Sequence, residues 1–335
     1  MNSSVPPRPL PSAESATPDA PRRRGKFFAA GLSPVNSPAR RAWTRFRRHR
    51  AAGLALRGLG LLVLVALAGP WISPYDPNAF VGGPFEPPSL RHWLGTDVHG
   101  RDLLTRVMVG ARLSLAVGAV GAAISLVIGV LWGAVAGYAG GRTDSVLMRT
   151  VDVLYAMPTL VFVIVLVTAL NGVLAKWEAA GAPVNVTHAR GLGLLLGIGA
   201  VSWLTMARIV RGEVLALRAR PFVEASRVLG ASPARILFRH LLPNLTGVVI
   251  VYLALTVPAV VLYESFLSFL GLGIQPPAAS LGTLIAEGAT QINPLRIYWW
   301  LIVFPAGTLA AALLGLNLVG DGLRDAFDPR AASRN

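Results

Sequence analysis

The side chains that could carry out covalent or metal chemistry are few and scattered in this 335-residue sequence. It contains no cysteine, which excludes disulfides, thiolate nucleophiles and zinc–thiolate sites. Its two lysines, Lys26 and Lys176, stand in no GxxxxGK(S/T) pattern, so the sequence has no P-loop for nucleotide binding. The five histidines, at positions 49, 92, 99, 188 and 240, are not paired at a metal-binding spacing. We therefore expect a protein that is not an enzyme by itself and that binds no cofactor or metal of its own.

A denser group of polar residues lies near position 100, within the predicted connection 74–111. Asp97, His99 and Asp102 are metal-ligand types, but their spacing favours tight turns. The same region could form a docking surface for another protein, or a self-contained loop in which arginine and aspartate bond to each other. The sequence leaves these two uses open. The candidate docking residues are Gly95, Thr96, Asp97, Gly100, Arg101 and Asp102.

The most informative polar stretch is residues 224–244, EASRVLGASPARILFRHLLPN, which lies between two apolar runs. Pro221 is typical of the first turn of a helix, Gly230 permits the chain to leave that helix, and Ser232-Pro233 caps and opens a second one. Pro243 is predicted to end the second helix. The pattern predicts two short helices joined at a glycine.

The first of these helices is expected to present an apolar contact stripe. Ala225, Val228 and Leu229 fall on one face, and Glu224 and Arg227 flank it. In a membrane-bound chain, such a segment between two spans is expected to be a rigid binding surface for a protein outside the membrane.

The rest of the sequence is apolar enough for a membrane protein. Hydrophobic residues make up 53%, charged residues 14%, and the mean hydropathy is +0.57. Six apolar runs match the roughly 20 residues that a helix needs to cross the hydrocarbon core, which predicts an all-α membrane protein with six transmembrane helices. The basic stretch before the first run is too long for a signal peptide, so we expect a retained span. The six runs are 53–73, 113–137, 150–171, 191–210, 246–270 and 297–319.

The net charge of +15 does not indicate nucleic-acid binding, because the cations lie in connections between apolar runs. If the N-terminus is inside the cell, the inside segments hold 24 of the 31 lysines and arginines, and the outside segments hold seven. The positive-inside rule then places both termini and the 224–244 segment in the cytoplasm. Contact with the lipid bilayer accounts for the excess charge.

The N-terminal tail, residues 1–50, shows no helical or strand periodicity, and 1–38 are expected to be disordered. Residues 40–50, RRAWTRFRRHR, combine cations with Trp43 and Phe46. They could form a membrane-surface helix or serve only as a topogenic anchor for the first span. The anchor is the favoured interpretation, since a basic run beside a span needs no further purpose.

Two ionisable residues fall within predicted spans, where burial in lipid is costly. Asp152 lies near the inner end of the third span, close to Arg149 and water. Glu264 is deeper in the fifth span, where it could contact a transported molecule or pair with a residue of a partner chain. Pro158 and Pro258 are predicted to kink the third and fifth spans.

Four stretches together carry a family resemblance. Glu224-Ala225-Ser226, followed by Gly230 and by His240-Leu241-Leu242-Pro243, resembles the EAA loop of bacterial ABC importer permeases. Three other stretches are similar to the oligopeptide/dipeptide/nickel permease family, and the chain resembles its C-type inner-membrane subunit over about 53–330. These stretches are LGTDVHGRDLLTRVMVGARLSLAVG at 94–118, ESFLSFLGLGIQPP at 264–277 and GDGLRDAFDPR at 320–330.

The resemblance implies a type I ABC importer permease fold, with a five-helix core over 112–320, a coupling loop at about 216–243 and a cytoplasmic tail at 321–335. It implies as partners a homologous permease subunit, two cytoplasmic ATPase subunits that hydrolyse ATP with Mg²⁺, and an extracytoplasmic solute-binding protein. A di- or oligopeptide is the expected cargo, with nickel or another small solute as the alternative. The implied coupling residues are Glu224, Ala225, Ser226, Arg227, Val228, Leu229, Gly230, His240 and Pro243.

The chain departs from the family pattern at two places. Ser226 stands where the family usually has alanine, and this exchange of one small side chain for another is expected to be silent. The N-terminal tail is longer than is usual in the family. A rival function, that of a secondary transporter without an ATPase, would need midplane carboxylates or inverted repeats, and neither is evident.

Overall fold

The chain is helical through most of the residues that the structure, a computed structural model, describes: 38–181, 186–275 and 277–327. Within these ranges, β-type pairing is limited to two isolated bridges, Thr96–Asp102 and Asn293–Arg296. The helices are α1 (Pro38–Arg48), α2 (Arg50–Ile72), α3 (Leu103–Ala139), α4 (Gly141–Tyr155), α5 (Thr159–Ala179), α6 (Val186–Arg218), α7 (Pro221–Val228), α8 (Pro233–Arg235), α9 (Leu242–Phe269), α10 (Leu281–Ala289) and α11 (Trp300–Phe327), with a π-helical segment (Ile236–Leu241) between α8 and α9.

Six helices in the described part of the chain are long and apolar enough to cross a membrane, which confirms the predicted number. They are α2, α3, α5, the Gly193–Arg218 part of α6, the continuous helix Pro233–Phe269 that contains α9, and α11. Helix α3 is roughly 55 Å long at 1.5 Å per residue, so it extends well beyond a hydrocarbon core of about 30 Å.

Because successive spans alternate in direction, the short helices collect at two opposite ends of the bundle. One end, here called the α7 end, carries α1, α4, α7 and α8, where α2 and α9 begin and α3, α6 and α11 end. The other, the α10 end, carries the connection between α2 and α3 together with α10.

Helix α3 packs closely against α6 through glycine. A Cβ on Gly129 would lie 2.6 Å from Cβ of Met206, and a Cβ on Gly133 would overlap the carbonyl oxygen of Ala207. Small residues at such contacts allow two helix backbones to approach each other. The glycine and alanine content of α3 therefore allows its close packing on α6.

The third predicted span is wrong in its position. The observed third span is α5, Thr159–Ala179, whereas the first residues of the predicted span, 150–155, belong to the separate helix α4. Pro158 is the N-cap of α5 and disfavours helical backbone at Met157, so it separates two helices and does not kink one. Asp152 consequently lies on α4, where its Oδ1 accepts a hydrogen bond of 2.6 Å from Nη2 of Arg208 and not from Arg149.

Helix α3 begins at Leu103, earlier than the predicted start of the second span and of the core at 112. Asp102 is its N-cap and accepts a hydrogen bond from the backbone N–H of Thr105 at 2.9 Å. The charge of Arg106 excluded this turn from the apolar run, yet its side chain is buried in an ion pair. At the other end of the chain, α11 continues to Phe327, so the first part of the predicted 321–335 tail is helical.

The tail shows no helical periodicity in its sequence, yet residues 38–48 form α1, which agrees with the helical alternative for residues 40–50. Among the α1 residues whose exposure the structure describes, 42–48, the buried hydrophobic ones are Ala42 and Phe46, and a pattern of two positions is too short to stand out in the sequence. The disorder predicted for the preceding residues falls outside the described part of the chain.

Candidate functional site

The α7–α8 segment, residues 221–243, contains two helix starts at the predicted positions, although only the first helix, α7, is short. Pro221 lies in the first turn of α7, where its missing N–H removes no helical hydrogen bond. Ser232 caps α8: its Oγ accepts a hydrogen bond from the backbone N–H of Arg235 at 3.3 Å, and Pro233 follows in the first turn. Both predicted helix starts are confirmed.

Helix α7 ends at glycine, as predicted. The backbone N–H of Gly230 donates to the carbonyl of Arg227 at 2.9 Å, and the N–H of Ala231 donates to that of Ser226 at 3.0 Å. This pair of bonds is a Schellman motif, which requires a left-handed residue after the helix. Gly230 has φ of +80° and supplies that conformation without a Cβ penalty.

The prediction that Pro243 ends the second helix is wrong. Helix α8 passes through the π-helical segment into α9, and Pro243 lies in the first turn of α9. The N–H of Leu242 donates to the carbonyl of Leu237, five residues earlier. This wider turn accommodates a proline that would clash in a regular helix. Just before this proline, the carbonyl of His240 accepts a hydrogen bond of 2.6 Å from Nδ2 of Asn244.

One face of the α7–α8 segment is anchored on the bundle. Val223 and Ile236 are at most 1% exposed and pack with Val214 of α6 and Leu245 of α9 in one apolar cluster. At the end of α6, Nη1 of Arg218 donates to a backbone carbonyl of the last turn of α3 at 2.8 Å. The apolar cluster also includes Ala134 of α3, so the segment packs in one cluster with residues of three spans.

The opposite face is apolar and exposed. Val228 and Leu229 are 87% and 85% exposed, and Phe238 is 57% exposed. Glu224 and Ala225 are also exposed. Exposed apolar residues of this kind are typical of surfaces that contact another protein or the membrane. Exposed cations surround them: Arg220, Arg227, Arg235 and Arg239.

At the α10 end, four charged residues form what we call the ion cluster: Asp97, Arg101, Arg106 and Glu287. Nη1 of Arg106 donates to Oδ2 of Asp97 at 2.6 Å and to Oε2 of Glu287 at 2.5 Å. Nε of Arg101 donates to the same oxygen of Asp97 at 2.6 Å. Because Arg106 is on α3 and Glu287 on α10, the cluster ties the connection before α3 to two helices.

The carboxylate of Asp97 is held in its ionised form. Burial alone would raise the pKa of Asp97, but hydrogen bonds from the backbone N–H groups of Arg101 and His99 and the nearby charge of Arg106 outweigh burial and hold that pKa below its ordinary value of 3.8. Asp97 is therefore a permanent anion in the physiological pH range.

The other predicted docking residues are also engaged within the loop. Oγ1 of Thr96 donates to a backbone carbonyl of the loop at 2.7 Å, and Asp102 contacts Nδ1 of the buried His92 at 3.0 Å. Gly95 and Gly100 have φ of +81° and +76° and sit against backbone oxygens. These contacts favour the self-contained loop, and docking stays a prediction. The described residues contain no group of three His, Asp or Glu able to hold a metal ion.

Glu264 is fully buried within the bundle. Oγ of Ser114 donates to its Oε2 at 2.8 Å, and Oγ of Ser268 donates to its Oε1 at 2.7 Å. Oγ of Ser114 in turn accepts the backbone N–H of Leu281 at 3.2 Å. The carboxyl group thereby links α9, α3 and the start of α10. Contact of Glu264 with a transported molecule requires this shell to open, and it stays a prediction.

Sequence reasoning missed Arg106 and Glu287 as partners. Arg106 lies before the apolar run 113–137 among other charged residues, so its sequence neighbourhood did not single it out, and nothing local marks Glu287, which is 181 residues away. It also missed Phe238, because the amphipathic pattern of the second short helix is interrupted by the π-helical segment.

Two family models match this chain. Residues 129–333 match the family described as binding-protein-dependent transport system inner membrane component. Residues 37–88 match the N-terminal transmembrane domain of oligopeptide transport permease C. The first match contains the α7–α8 segment, and the second contains α2.

Curated relatives match over most of the chain. The oligopeptide transport system permease protein OppC of Bacillus subtilis is 41% identical over 86% of this chain and 88% of its own length. The dipeptide transport system permease protein DppC of Bacillus subtilis is 42% identical, covering 89% and 87%. OppC of Escherichia coli strain K12 is 44% identical, covering 85% and 89%. The chain therefore belongs to the family of binding-protein-dependent transport system inner membrane components, as a multi-pass membrane permease homologous to oligopeptide and dipeptide permease subunits of ABC transporters.

Proposed function

We propose that this chain is one of two homologous permease subunits of an ATP-driven importer of di- and oligopeptides, and that its α7–α8 segment docks on a cytoplasmic ATPase subunit. The observation that carries the docking role is the exposed apolar face of a segment whose other face is buried on three spans. An apolar surface that the chain itself leaves uncovered is stabilised when a partner covers it.

Coupling follows from the continuity of the backbone. The helix that starts at Pro233 passes without interruption into α9, and α7 follows α6 after two residues. A displacement of the docked segment is therefore transmitted to two spans as a rigid movement, which is how hinge and shear motions open one side of a bundle. Pro258 within α9 lacks one helical N–H and is the point where this helix bends most easily.

The direction of transport depends on orientation in the membrane. We infer that the α7 end faces the cytoplasm together with both termini, because the basic residues concentrate in segments at that end. The α10 end then faces the extracytoplasmic space, where the loop around Asp97 and the connections of α10 are accessible to a solute-binding protein.

The energy source lies outside this chain. We infer that two ATPase subunits bind and hydrolyse ATP with Mg²⁺, since this sequence has no P-loop and no catalytic constellation of its own. The permease contributes half of the translocation pathway and binds no cofactor. Peptide is proposed as cargo because the matched relatives are named for oligopeptide and dipeptide transport.

The docking role is tested by placing charge on the exposed apolar face. We expect Val228→Asp combined with Leu229→Asp to abolish peptide uptake and to release the ATPase subunits on purification, while membrane insertion is unchanged. Leu295→Asp is the matched control, because Leu295 is 90% exposed at the opposite end of the bundle.

Three outcomes decide the proposal. Retention of the ATPase subunits by the double variant would contradict the docking role, and so would their loss in the Leu295→Asp control. Peptide uptake by the purified chain alone would contradict the requirement for partner subunits.

A further inference from the structure

Helix α1 packs on the bundle through one narrow face. Ala42 and Phe46 are each 4% exposed and contact Ala52 of α2 and Ala326 of α11. Gly322 permits this approach, because a Cβ there would lie 3.1 Å from the ring of Phe46. The contact fixes the rotation of α1 about its own axis and decides which residues face away from the bundle.

The face turned away from the bundle is aromatic and cationic. Trp43 is 54% exposed and stacks on Phe46 with ring centroids 5.9 Å apart. Arg47 and Arg48 are exposed, and the sequence of α1, PARRAWTRFRR, contains no acidic residue. An indole beside exposed guanidinium groups suits the boundary between headgroups and acyl chains, where an amphipathic ring and a cation are both stabilised.

The position of α1 along the membrane normal is set by α2. Only His49 separates the two helices, and Nδ1 of His49 accepts the backbone N–H of Ala52 as the N-cap of α2 at 3.1 Å. Because α2 is a membrane span that begins at Arg50, a helix one residue before it lies at headgroup depth. Exposed arginines at that depth are within reach of lipid phosphates, which bind guanidinium in a bidentate manner.

We propose that α1 is a membrane-surface helix that binds anionic phospholipid of the bilayer through Trp43, Arg47 and Arg48. The charge of this face is complementary to an anionic headgroup, and its place next to a span makes the bilayer itself the occupant. This assignment replaces the interpretation of residues 40–50 as a topogenic anchor only. It depends on insertion of the chain in a membrane and not on the docking role of the α7–α8 segment, so the two proposals can fail separately.

The absence of native cysteine allows one labelled position at a time. Thr44→Cys carries an environment-sensitive fluorophore next to Trp43, and Leu295→Cys carries it at an exposed position of the α10 end as the control. Both are measured in the assembled transporter, with partner subunits free of reactive cysteine, in nanodiscs whose lipids bear a quencher at the headgroup boundary. We expect severalfold stronger quenching at position 44 than at 295, and a further increase when phosphatidylglycerol replaces part of the phosphatidylcholine.

The cationic contribution is tested by a matched pair of variants. Each juxtamembrane cation contributes about a fivefold factor to the binding of anionic lipid. The Arg47→Gln, Arg48→Gln variant is therefore expected to lower the affinity for phosphatidylglycerol by up to about 25-fold, measured by titrating that lipid into the nanodiscs. The Arg47→Lys, Arg48→Lys variant keeps both charges and is expected to retain most of the affinity.

Quenching at position 44 that does not exceed quenching at 295 would overturn the proposal. The same holds if phosphatidylglycerol has no effect or if the glutamine variant binds it as tightly as the native chain, because α1 would then be a topogenic anchor only. Quenching that appears only after removal of the ATPase subunits would show that a protein partner, and not lipid, covers this face.

Discussion

The ion cluster at the α10 end and the α7–α8 segment differ in how far the chain itself provides contacts for their side chains. At the α10 end, the charged residues pair with each other, and Arg106 is buried between Asp97 and Glu287. At the α7 end, the apolar residues Val228 and Leu229 are almost fully exposed and contact no part of the bundle core. The charges of the ion cluster are therefore paired within the chain, whereas the apolar face of the α7–α8 segment is left uncovered by it.

This difference distinguishes a region that holds its helices in place from a region that an external partner can move. A cluster of buried, paired charges holds its helices at defined positions, because moving one partner leaves the other unpaired at high cost. A short helical segment with an uncovered apolar face and a continuous path into α9 can instead be moved from outside. The comparison predicts that substitutions in the ion cluster affect mainly folding and that those on the exposed apolar face of the α7–α8 segment affect mainly coupling.

The largest effect on folding is expected from Arg106→Ala. The variant removes the most deeply buried cation of the cluster, and removal of one partner from a buried pair costs about 3–5 kcal/mol, which the remaining bond from Arg101 to Asp97 lowers here. Thermal unfolding of the purified chain in detergent measures the loss. Arg101→Ala is the control and should cost clearly less, because the side chain of Arg101 is 12% exposed and that of Arg106 is 3% exposed. Equal losses in the two variants would contradict the role of Arg106 as the centre of the cluster.

A glycine pair compares the two ends directly. Gly100→Ala and Gly230→Ala both place a Cβ on left-handed backbone, which costs about 1–2 kcal/mol. At Gly100 the new Cβ would also overlap the carbonyl oxygen of Gly82, whereas at Gly230 no heavy atom lies within 4 Å. We therefore expect the loss of unfolding free energy at Gly100 to be at least twice that at Gly230. A loss at Gly230 equal to or greater than that at Gly100 would show that the α7 end is more tightly packed than this account allows.

A small effect is expected from Ser226→Ala. Oγ of Ser226 donates to the carbonyl of Phe222 within the same helix at 2.7 Å, a bond that competes with the backbone and adds little stability. Alanine is the better helix former, so the free energy of unfolding should change by no more than about 0.5 kcal/mol. Peptide uptake by the reconstituted transporter is expected to stay at the native level. A loss of uptake would assign Ser226 a contact with the partner.

The smallest effect is expected from pH. The side-chain hydrogen bonds from Arg211 hold the pKa of Asp144 below its ordinary value of 3.8, and the pKa of Asp97 is lowered as well. A lowered folded-state pKa contributes stability that is fully present above the ordinary value and is lost only as the pH falls through the folded-state pKa. Because both values lie below 3.8, neither carboxylate should lower the unfolding temperature between pH 8 and pH 5. If the unfolding temperature fell between pH 8 and pH 5 and Asp144→Asn removed that fall, the lowered pKa of Asp144 would be contradicted.

The sequence predicted the features that local chemistry determines. Pro221, Gly230 and Ser232 each set a helix boundary through their own backbone preferences, and the structure places the boundaries at these residues. The number of spans followed from apolar length alone. These features need no knowledge of distant parts of the chain.

The errors have a common physical cause in tertiary context. Pro243 is tolerated within a helix because a π-helical segment precedes it, and Arg106 extends α3 because Glu287 on a distant helix neutralises it. The hydrogen-bonding shell of Glu264 likewise includes a serine from a distant helix, Ser114 of α3, while contact of Glu264 with a transported molecule or a partner chain stays a prediction. In each case the deciding partner or backbone adjustment lies outside the pattern from which the prediction was made.

The central claim is that the ATPase subunit binds at the α7 end, and cross-linking tests it most directly. Val228→Cys and Leu295→Cys are each labelled with a short photo-activated cross-linker in the assembled transporter, since the native chain offers no competing cysteine. The account predicts that position 228 cross-links to an ATPase subunit and that position 295 does not. A cross-link from position 295 to the ATPase, or an assembled complex in which position 228 reaches no ATPase subunit, would contradict it.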